Sequence, residues 1–365
     1  MSGSQWYPPP GHGAPPAGPP PPGPAAPPPG HGPLPPGVQV APAWSPPPGM
    51  LGAAHKPGAM PLRPLGLGDI YDAAFRIIRF NPKATVGASV LVAAVAMALP
   101  LLVTAAFTWS VDLSLNQSRT DLETAELAGQ IGSVSALGLG AVLQWVGTIL
   151  VTGMIAHVTA AAAIGRRLSL GEAWQATRGK RWRLIGASLL LTLGVTAVLA
   201  AYVGAWFAVV IAADGAPVVI WGLLSVPAFI CLLMWLWIRV SYLPVPALML
   251  ERVGVFGAVA RGFRLTRRQF WRIFGIALLT VLITGIASQV LATPLGMVGQ
   301  IVISAVGPQY ELLGLVVVQA ITSVLTAAFV SPFTGAVTSL QYLDQRIRKE
   351  AYDVELMTQA GITAS

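Results

Sequence analysis

Six long apolar stretches dominate the sequence and decide what this chain can fold into. They contain no aspartate or glutamate. A helix of about 20 apolar residues crosses the roughly 30 Å hydrocarbon core of a bilayer. Only 10% of the residues are charged, against about 25% in a soluble globular domain. We therefore expect an all-α polytopic membrane protein with six transmembrane helices. The expected spans are residues 84–109, 138–165, 184–213, 218–238, 273–304 and 312–343.

Basic residues fall almost entirely on one side of such a six-span arrangement. Of the 22 lysines and arginines, 21 precede the first span, follow the sixth, or lie between spans two and three or four and five. Because cytoplasmic loops carry an excess of Lys and Arg, we expect a multi-pass protein of the cytoplasmic membrane with both termini in the cytoplasm. Anionic headgroups of the bilayer then account for the net charge of +8, and we expect no nucleic-acid partner.

Residues 1–61 form a tail rich in proline and glycine, which holds 22 of the 32 prolines. The tail has almost no Leu, Ile or Val, so little apolar burial is available to offset the entropy cost of ordering it. We expect a disordered cytoplasmic tail that acts as a solvated spacer. The alternative is that its proline runs dock on protein partners. A helical membrane domain over residues 62–350 and a cytoplasmic C-terminal tail over residues 351–365 follow it.

Three similar segments precede the first, third and fifth spans. Each has apolar and basic residues at helical spacing, which is typical of a helix lying flat at the headgroup level. Asn81-Pro82 predicts the end of the first helix, and Ser169-x-x-Glu172 predicts a capping box for the second. The chain then consists of three hairpins, each preceded by a cytoplasmic interfacial helix. Charge that merely orients the protein is the alternative explanation of their arginines. The candidates for binding phospholipid headgroups, anionic lipids in particular, are Arg76, Arg79, Arg178, Arg181, Arg264, Arg267 and Arg268.

A few polar side chains lie within the apolar stretches. They either hydrogen-bond between helices or line a polar path through the membrane. The spans contain no aspartate, glutamate, lysine or arginine, which argues against ion-coupled transport. These intramembrane polar candidates are Gln144, His157, Gln289, Gln300 and Gln319.

Prolines and length predict interruptions in several spans. The last two spans run beyond 30 residues, so we expect breaks at Pro294 and Pro332, with Pro100 and Pro227 as break points in shorter spans. We also expect a separate short helix over residues 129–139.

No motif of a known catalytic site occurs in the sequence. GxGxxG, Walker A, HExxH and GxSxG are all missing, and the single cysteine, Cys231, cannot form a CxxC metal site. We therefore expect no catalytic residue, no metal site and no cofactor, and hence no enzyme.

Three stretches carry a family resemblance. They read LRPLGLGDIYDAAFRIIRFNP, RVSYLPVPALMLERVGVFGAVARGFRLTRRQFWRIFGIALL and SPFTGAVTSLQYLDQRIRKEAYDVELM, in that order along the chain. They resemble a family of uncharacterised actinobacterial multi-span membrane proteins, often labelled the membrane domain of glycerophosphoryl diester phosphodiesterases. The resemblance implies an inner-membrane protein with a Pro/Gly-rich N-terminal tail. It does not imply the hydrolase, whose barrel needs a His-Arg dipeptide that this sequence lacks.

Three functions suit these features. We expect a non-catalytic membrane protein that organises or scaffolds the membrane by binding lipid headgroups or partner proteins. A permease, or an accessory subunit of a transporter, is the first alternative, and a midplane cavity lined by His157 and the glutamines would favour it. The membrane domain of a lipid-related enzyme system without its own catalytic domain is the second. The sequence leaves the oligomeric state open.

Overall fold

The computed structural model describes residues 58–117, 122–305 and 310–361. Within these ranges the regular structure is helical and contains no strand, so the predicted all-α class is confirmed. The predicted disordered tail over residues 1–61 lies almost wholly outside the described residues. The helices are α1 (Leu67–Phe80), α2 (Ala88–Gln117), α3 (Leu122–Ala163), α4 (Leu170–Ala176), α5 (Arg181–Ala212), α6 (Ala216–Leu236), α7 (Pro244–Leu250), α8 (Val255–Thr266), α9 (Phe270–Ala305), α10 (Glu311–Glu350) and α11 (Tyr352–Gln359).

Six helical segments of the described chain are long and apolar enough to cross a membrane, as the sequence predicts. Each has a mean hydropathy of 1.7 or more over its most apolar window. The chain is therefore a multi-pass helical membrane protein. The segments are Lys83–Ala106, Val142–Ala163, Arg181–Ala212, Ala216–Leu250, Phe270–Ala305 and Glu311–Glu350.

Each of the three similar segments forms a short helix directly before a long one: α1 before α2, α4 before α5, and α8 before α9. α1 ends at Phe80, immediately before Asn81-Pro82, because proline cannot donate a backbone hydrogen bond. α4 begins with the predicted capping box. There the backbone N–H of Ser169 lies 2.7 Å from Glu172 Oε2, and the Glu172 N–H lies 3.2 Å from Ser169 Oγ.

The predicted breaks at the four prolines are wrong. α2, α6, α9 and α10 continue through Pro100, Pro227, Pro294 and Pro332. A chain that left the helix within a bilayer would leave several backbone groups without partners, so the helix is kept at the cost of one hydrogen bond per proline. π-helical turns occur instead over Lys83–Gly87 and Trp237–Tyr242, close to the ends of spans.

The predicted separate helix over residues 129–139 is also wrong. This stretch belongs to the continuous helix α3. It contains no proline, so nothing in its sequence forces the helix to end before the apolar part begins.

Helices α2, α3, α9 and α10 form one bundle, in which α10 packs against the other three. Glycines make the close approaches. A Cβ added to Gly299 of α9 would lie 2.6 Å from Val318 of α10. One added to Gly335 of α10 would lie 3.1 Å from Ile155 of α3. Small residues at helix crossings allow this proximity, as is common between membrane helices.

Helices α5 and α6 form a hairpin with little burial against the rest of the described chain. The rings of Tyr202 and Phe229 stack at 3.8 Å, and the Tyr202 hydroxyl lies 3.1 Å from Ser225 Oγ. α6 has no residue buried by the described chain. The buried residues of α5 all lie in its first turns, and they are Leu184, Ala187 and Ser188.

The short helices α1, α4, α7, α8 and α11 gather at the end of the bundle where α2, α5 and α9 begin and α3 and α10 end. We call this the basic end, because the arginines and lysines of these helices and of their connections lie there. Several of the largest fully buried side chains of the described chain are also found here: Met60, Leu65, Ile70, Met249 and Tyr342.

Candidate functional site

Asp344, near the end of α10, is fully buried at the centre of an ionic cluster at the basic end. Its carboxylate accepts hydrogen bonds from Arg272, from Arg348 Nε at 3.0 Å and from the backbone N–H of Leu65 at 2.8 Å. Both arginines also donate to the carbonyl oxygen of Leu65. This Asp344 cluster therefore fastens the start of α1 to α9 and α10, and it leaves the buried charge well paired.

A second ionic cluster surrounds Glu251, the residue after α7. Arg261 of α8 donates to the Glu251 carboxylate through Nε at 3.0 Å and Nη2 at 2.8 Å, and the Tyr342 hydroxyl donates to the same oxygen. Arg261 also pairs with Glu350, which lies 3.1 Å from Arg346. Burial works to lower the pKa of Arg261, but the bonds to Glu251 and Glu350 outweigh it, and the pKa is raised. The cluster fastens α8 to α10.

Two lysines at the basic end bind backbone carbonyls. Lys349 donates to three carbonyl oxygens at the end of α8, over 2.7–3.1 Å, where a cation complements the helix dipole. Lys180, just before α5, donates to the carbonyls of Met249 and Glu251. Burial lowers the pKa of Lys180, and the positive charges of Arg252 and Arg183 lower it further. Neither lysine side chain points freely into solvent.

The seven arginines that the sequence nominates for headgroups all lie at the basic end, but in different environments. The Arg181 guanidinium stacks 3.7 Å from the Trp174 ring and donates to Thr177 Oγ1 at 3.0 Å. Arg76 forms an i,i+4 ion pair with Asp72, at 2.9 Å and exposed to solvent. The other five are exposed, and their side chains make no ion pair or hydrogen bond within the described residues: Arg79, Arg178, Arg264, Arg267 and Arg268.

Three arginines line one open cleft of about 630 Å³. Arg76 and Arg79 come from α1, and Arg167 comes from the connection between α3 and α4. The Arg167 guanidinium lies 4.5 Å from the centre of the Phe80 ring, a cation–π contact that restrains it. Gly58, Ala59 and Gly165 complete the lining together with Phe80, and no acidic residue of the described ranges lines it. We call this the arginine cleft.

Two hydrogen bonds between distant parts of the chain shape the arginine cleft. The Asn81 side-chain oxygen accepts from the backbone N–H of Leu168 at 3.0 Å, which joins the end of α1 to the connection that carries Arg167. The N–H of Ala59 donates to the carbonyl of Ala162 at 2.8 Å, which seats the chain against the end of α3. These bonds bring together the segments that carry the three arginines, and guanidinium groups can fork onto the oxygens of a phosphate.

Sequence reasoning missed Arg167. Arg167 lies outside the three amphipathic segments, so the helical spacing that nominated the other arginines does not include it. The Arg166-Arg167 pair directly after the second span was the only clue, because a base at that position sits at the same level as the arginines of α1.

The intramembrane polar candidates do not come together. Gln144 and His157 are half-buried on α3, more than three helical turns apart. Gln289 and Gln300 of α9 and Gln319 of α10 are exposed on the outside of the described bundle. None of these residues lines the arginine cleft.

Within the described ranges, no group of three or more His, Cys, Asp or Glu side chains is placed to hold a metal ion. The acidic side chains of the Asp344 and Glu251 clusters are taken up by arginines instead. Cys231 lies exposed on α6. The exposed guanidinium groups at the basic end are of the kind that bind anions.

Comparison with known proteins identifies a membrane domain in part of the chain. Residues 217–360 match the family model described as the membrane domain of glycerophosphoryl diester phosphodiesterase. No curated protein and no solved structure matches the chain. The matched family model describes a membrane domain and not a catalytic domain. The family resemblance seen in the sequence is thereby confirmed over residues 217–360, where the chain matches the glycerophosphoryl diester phosphodiesterase membrane-domain family.

Proposed function

We propose that this protein is a non-catalytic integral membrane protein whose basic end binds anionic phospholipid headgroups and so organises the leaflet around it. The arginine cleft carries the proposal: it presents Arg76, Arg79 and Arg167 to one open space and has no acidic residue of the described chain in its lining. Arginine binds phosphate oxygens through two parallel hydrogen bonds, whereas lysine acts as a point charge.

The arginines of the basic end fall into two groups, and this difference supports the proposal. Arg261, Arg272 and Arg348 are used inside the protein, on carboxylates that fasten helices together. The arginines of the cleft and those at the end of α8 have no such internal use, apart from the exposed pair made by Arg76. With the basic end in the cytoplasm, each of these bases gains about 1 kcal/mol of attraction to an anionic leaflet.

The name of the matched family is consistent with the same ligand class. It refers to an enzyme of glycerophosphoryl diesters, and a phospholipid headgroup is joined to glycerol by such a diester. Binding a phospholipid headgroup and binding a glycerophosphoryl diester both require recognition of a diester phosphate. Cations can provide this recognition without a catalytic group.

A permease is the alternative that the sequence leaves open. A polar path through the bundle requires polar side chains that converge near the middle of the spans. Gln289, Gln300 and Gln319 are instead exposed on the outside of α9 and α10, which favours lipid binding over transport.

The proposal is tested by replacing the three arginines of the cleft with lysine, which keeps the charge and the topology. We expect the triple variant Arg76→Lys, Arg79→Lys, Arg167→Lys to retain anionic phospholipid at least about tenfold more weakly, because a bond to a charged group contributes about 1.5–3 kcal/mol. Native mass spectrometry of the detergent-purified protein measures the retained lipid.

The matched control replaces three exposed arginines outside the cleft, at Arg264, Arg267 and Arg268, with lysine. It is expected to keep the wild-type lipid. A wild-type anionic-lipid fraction in the cleft variant would contradict the proposal and leave the arginines as charge that only orients the protein.

A further inference from the structure

We infer that a second site, separate from the arginine cleft, holds one acyl chain of a phospholipid between α2 and α3. The inference rests on the proposed function, because it takes the basic end to face lipid headgroups. The site is a groove of about 490 Å³ bounded by α2, α3 and α4. We call it the α2–α3 groove, and its lining includes Leu91, Val95, Leu143, Val146, Leu150 and Trp174.

The depth of the groove matches one leaflet. On α2 it extends from Ala88 to Ala96, and on α3 from Leu143 to Met154. At a rise of 1.5 Å per residue these stretches are about 12 Å and about 17 Å long. Half of the hydrocarbon core measures about 15 Å. An acyl chain ends near the midplane, so a groove of this depth accommodates one chain of one leaflet.

The volume and the lining also fit a single chain. The residues that line the groove are alanine, glycine, valine, leucine, methionine and one tryptophan, so they offer no side-chain partner to a polar ligand within the span. A single water molecule takes about 30 Å³ of liquid volume, so a groove of about 490 Å³ has room for a ligand as large as an acyl chain.

A cation lies at the mouth of the groove. Trp174 closes the end at α4, and the Arg181 guanidinium stacks 3.7 Å from its ring. An indole prefers the headgroup level of the bilayer. Arg181 uses Nε on Thr177 and one terminal nitrogen on the Trp174 carbonyl, and its other terminal nitrogen has no hydrogen-bond partner among the described residues. The phosphate of a lipid at the mouth of the groove accepts a hydrogen bond from this free nitrogen, while the acyl chain of the same lipid occupies the groove.

Photocrosslinking identifies the occupant directly. The full chain carries the photoreactive residue p-benzoyl-phenylalanine in place of Val95, which lines the groove, and is purified in mild detergent before irradiation. Val290, on the exposed side of α9, is the matched control, since both valines are more than 40% exposed and Val290 lies outside the groove. We expect a phospholipid adduct at position 95 and little at position 290, where loosely held lipid exchanges with detergent. An adduct to residues 1–57 or to a second copy of the chain, or equal lipid adducts at both positions, overturns the inference.

A substitution that fills the groove provides a second test of the inference. A Cβ added to Gly171, which lines the groove, would meet no atom within 4 Å, so Gly171→Leu extends into the open space. Gly194→Leu is the control, because Gly194 of α5 is equally unobstructed and lies outside the groove. We expect Gly171→Leu to remove the lipid adduct at position 95 and Gly194→Leu to keep it, with both proteins unfolding at the wild-type temperature. Wild-type adduct yield in Gly171→Leu contradicts the inference.

Two further variants separate this inference from the proposed function. Arg181→Gln is expected to lower the adduct yield about fivefold, the effect of one base near an anionic leaflet. The triple lysine variant of the arginine cleft is expected to leave the adduct unchanged. Either site can therefore fail its test while the other passes.

Discussion

Arginines that look alike in the sequence differ in what lies within hydrogen-bond reach of each guanidinium. Arg272 and Arg348 reach the buried carboxylate of Asp344 and hold three helices together. Arg79 and Arg267 reach no carboxylate of the described chain and remain exposed. A buried ion pair is expensive to break, because the partner left behind keeps a charge without compensation. An exposed pair is screened by solvent and contributes little.

The difference is testable with the same substitution at two aspartates. Asp344→Asn removes the carboxylate from two arginines and is expected to cost about 3–5 kcal/mol, seen as a clear fall in the thermal unfolding midpoint in detergent. Asp72→Asn breaks only the exposed pair with Arg76 and is expected to cost at most about 1 kcal/mol. Similar midpoints for both variants would show that the Asp344 cluster does not hold the basic end together.

At the scale of helices, the packing of the bundle depends on glycine positions where two helices lie too close for a larger side chain. Val318 of α10 occupies the space that a Cβ on Gly299 of α9 would need. One turn earlier, a Cβ on Gly296 would meet no atom within 4 Å. The two glycines belong to the same helix and sit three residues apart, so they differ in contact and hardly in helix propensity.

Gly299→Leu is therefore expected to destabilise the pairing of α9 with α10 by about 1–3 kcal/mol, the usual cost of forcing extra volume into a packed contact. Gly296→Leu is expected to be neutral or slightly stabilising, because it replaces glycine within a helix without a clash. Thermal unfolding in detergent compares the two proteins. If Gly296→Leu lowered the unfolding temperature as much as Gly299→Leu, the close contact between α9 and α10 would not lie at Gly299.

Local features of the molecule could be predicted, and distant contacts could not. The six spans, the end of α1 at Asn81-Pro82 and the capping box at Ser169 follow from residues close together in sequence. The Asp344 cluster joins residues 279 positions apart, and no periodicity indicates such a partner. Arg167 was missed for the same reason, since its place in the arginine cleft depends on the fold that brings it to α1. The proline breaks failed because the bilayer penalises an open backbone more than proline penalises a helix.

For the whole molecule, the asymmetry of basic residues predicts which side faces the cytoplasm. In a Cys231→Ser background, a cysteine at Asp214, between α5 and α6, is expected to react with an impermeant thiol reagent on intact cells. A cysteine at Gln175 of α4 is expected to react only after the membrane is opened. Both positions are exposed, so access depends on the side of the membrane and not on burial. The reverse labelling pattern would show that the basic end faces away from the cytoplasm.

The limited burial of the α5–α6 hairpin has a mechanical consequence. A hairpin whose buried residues lie only near one end behaves as a lever hinged at that end. With an arm of about 30 Å, each degree of rotation moves the far end by about 0.5 Å. Little side-chain packing holds the far end of the hairpin within the described chain, so we expect its tilt to respond to the thickness of the surrounding lipid. A change in bilayer thickness is therefore expected to tilt this hairpin more than the packed helices α2, α3, α9 and α10.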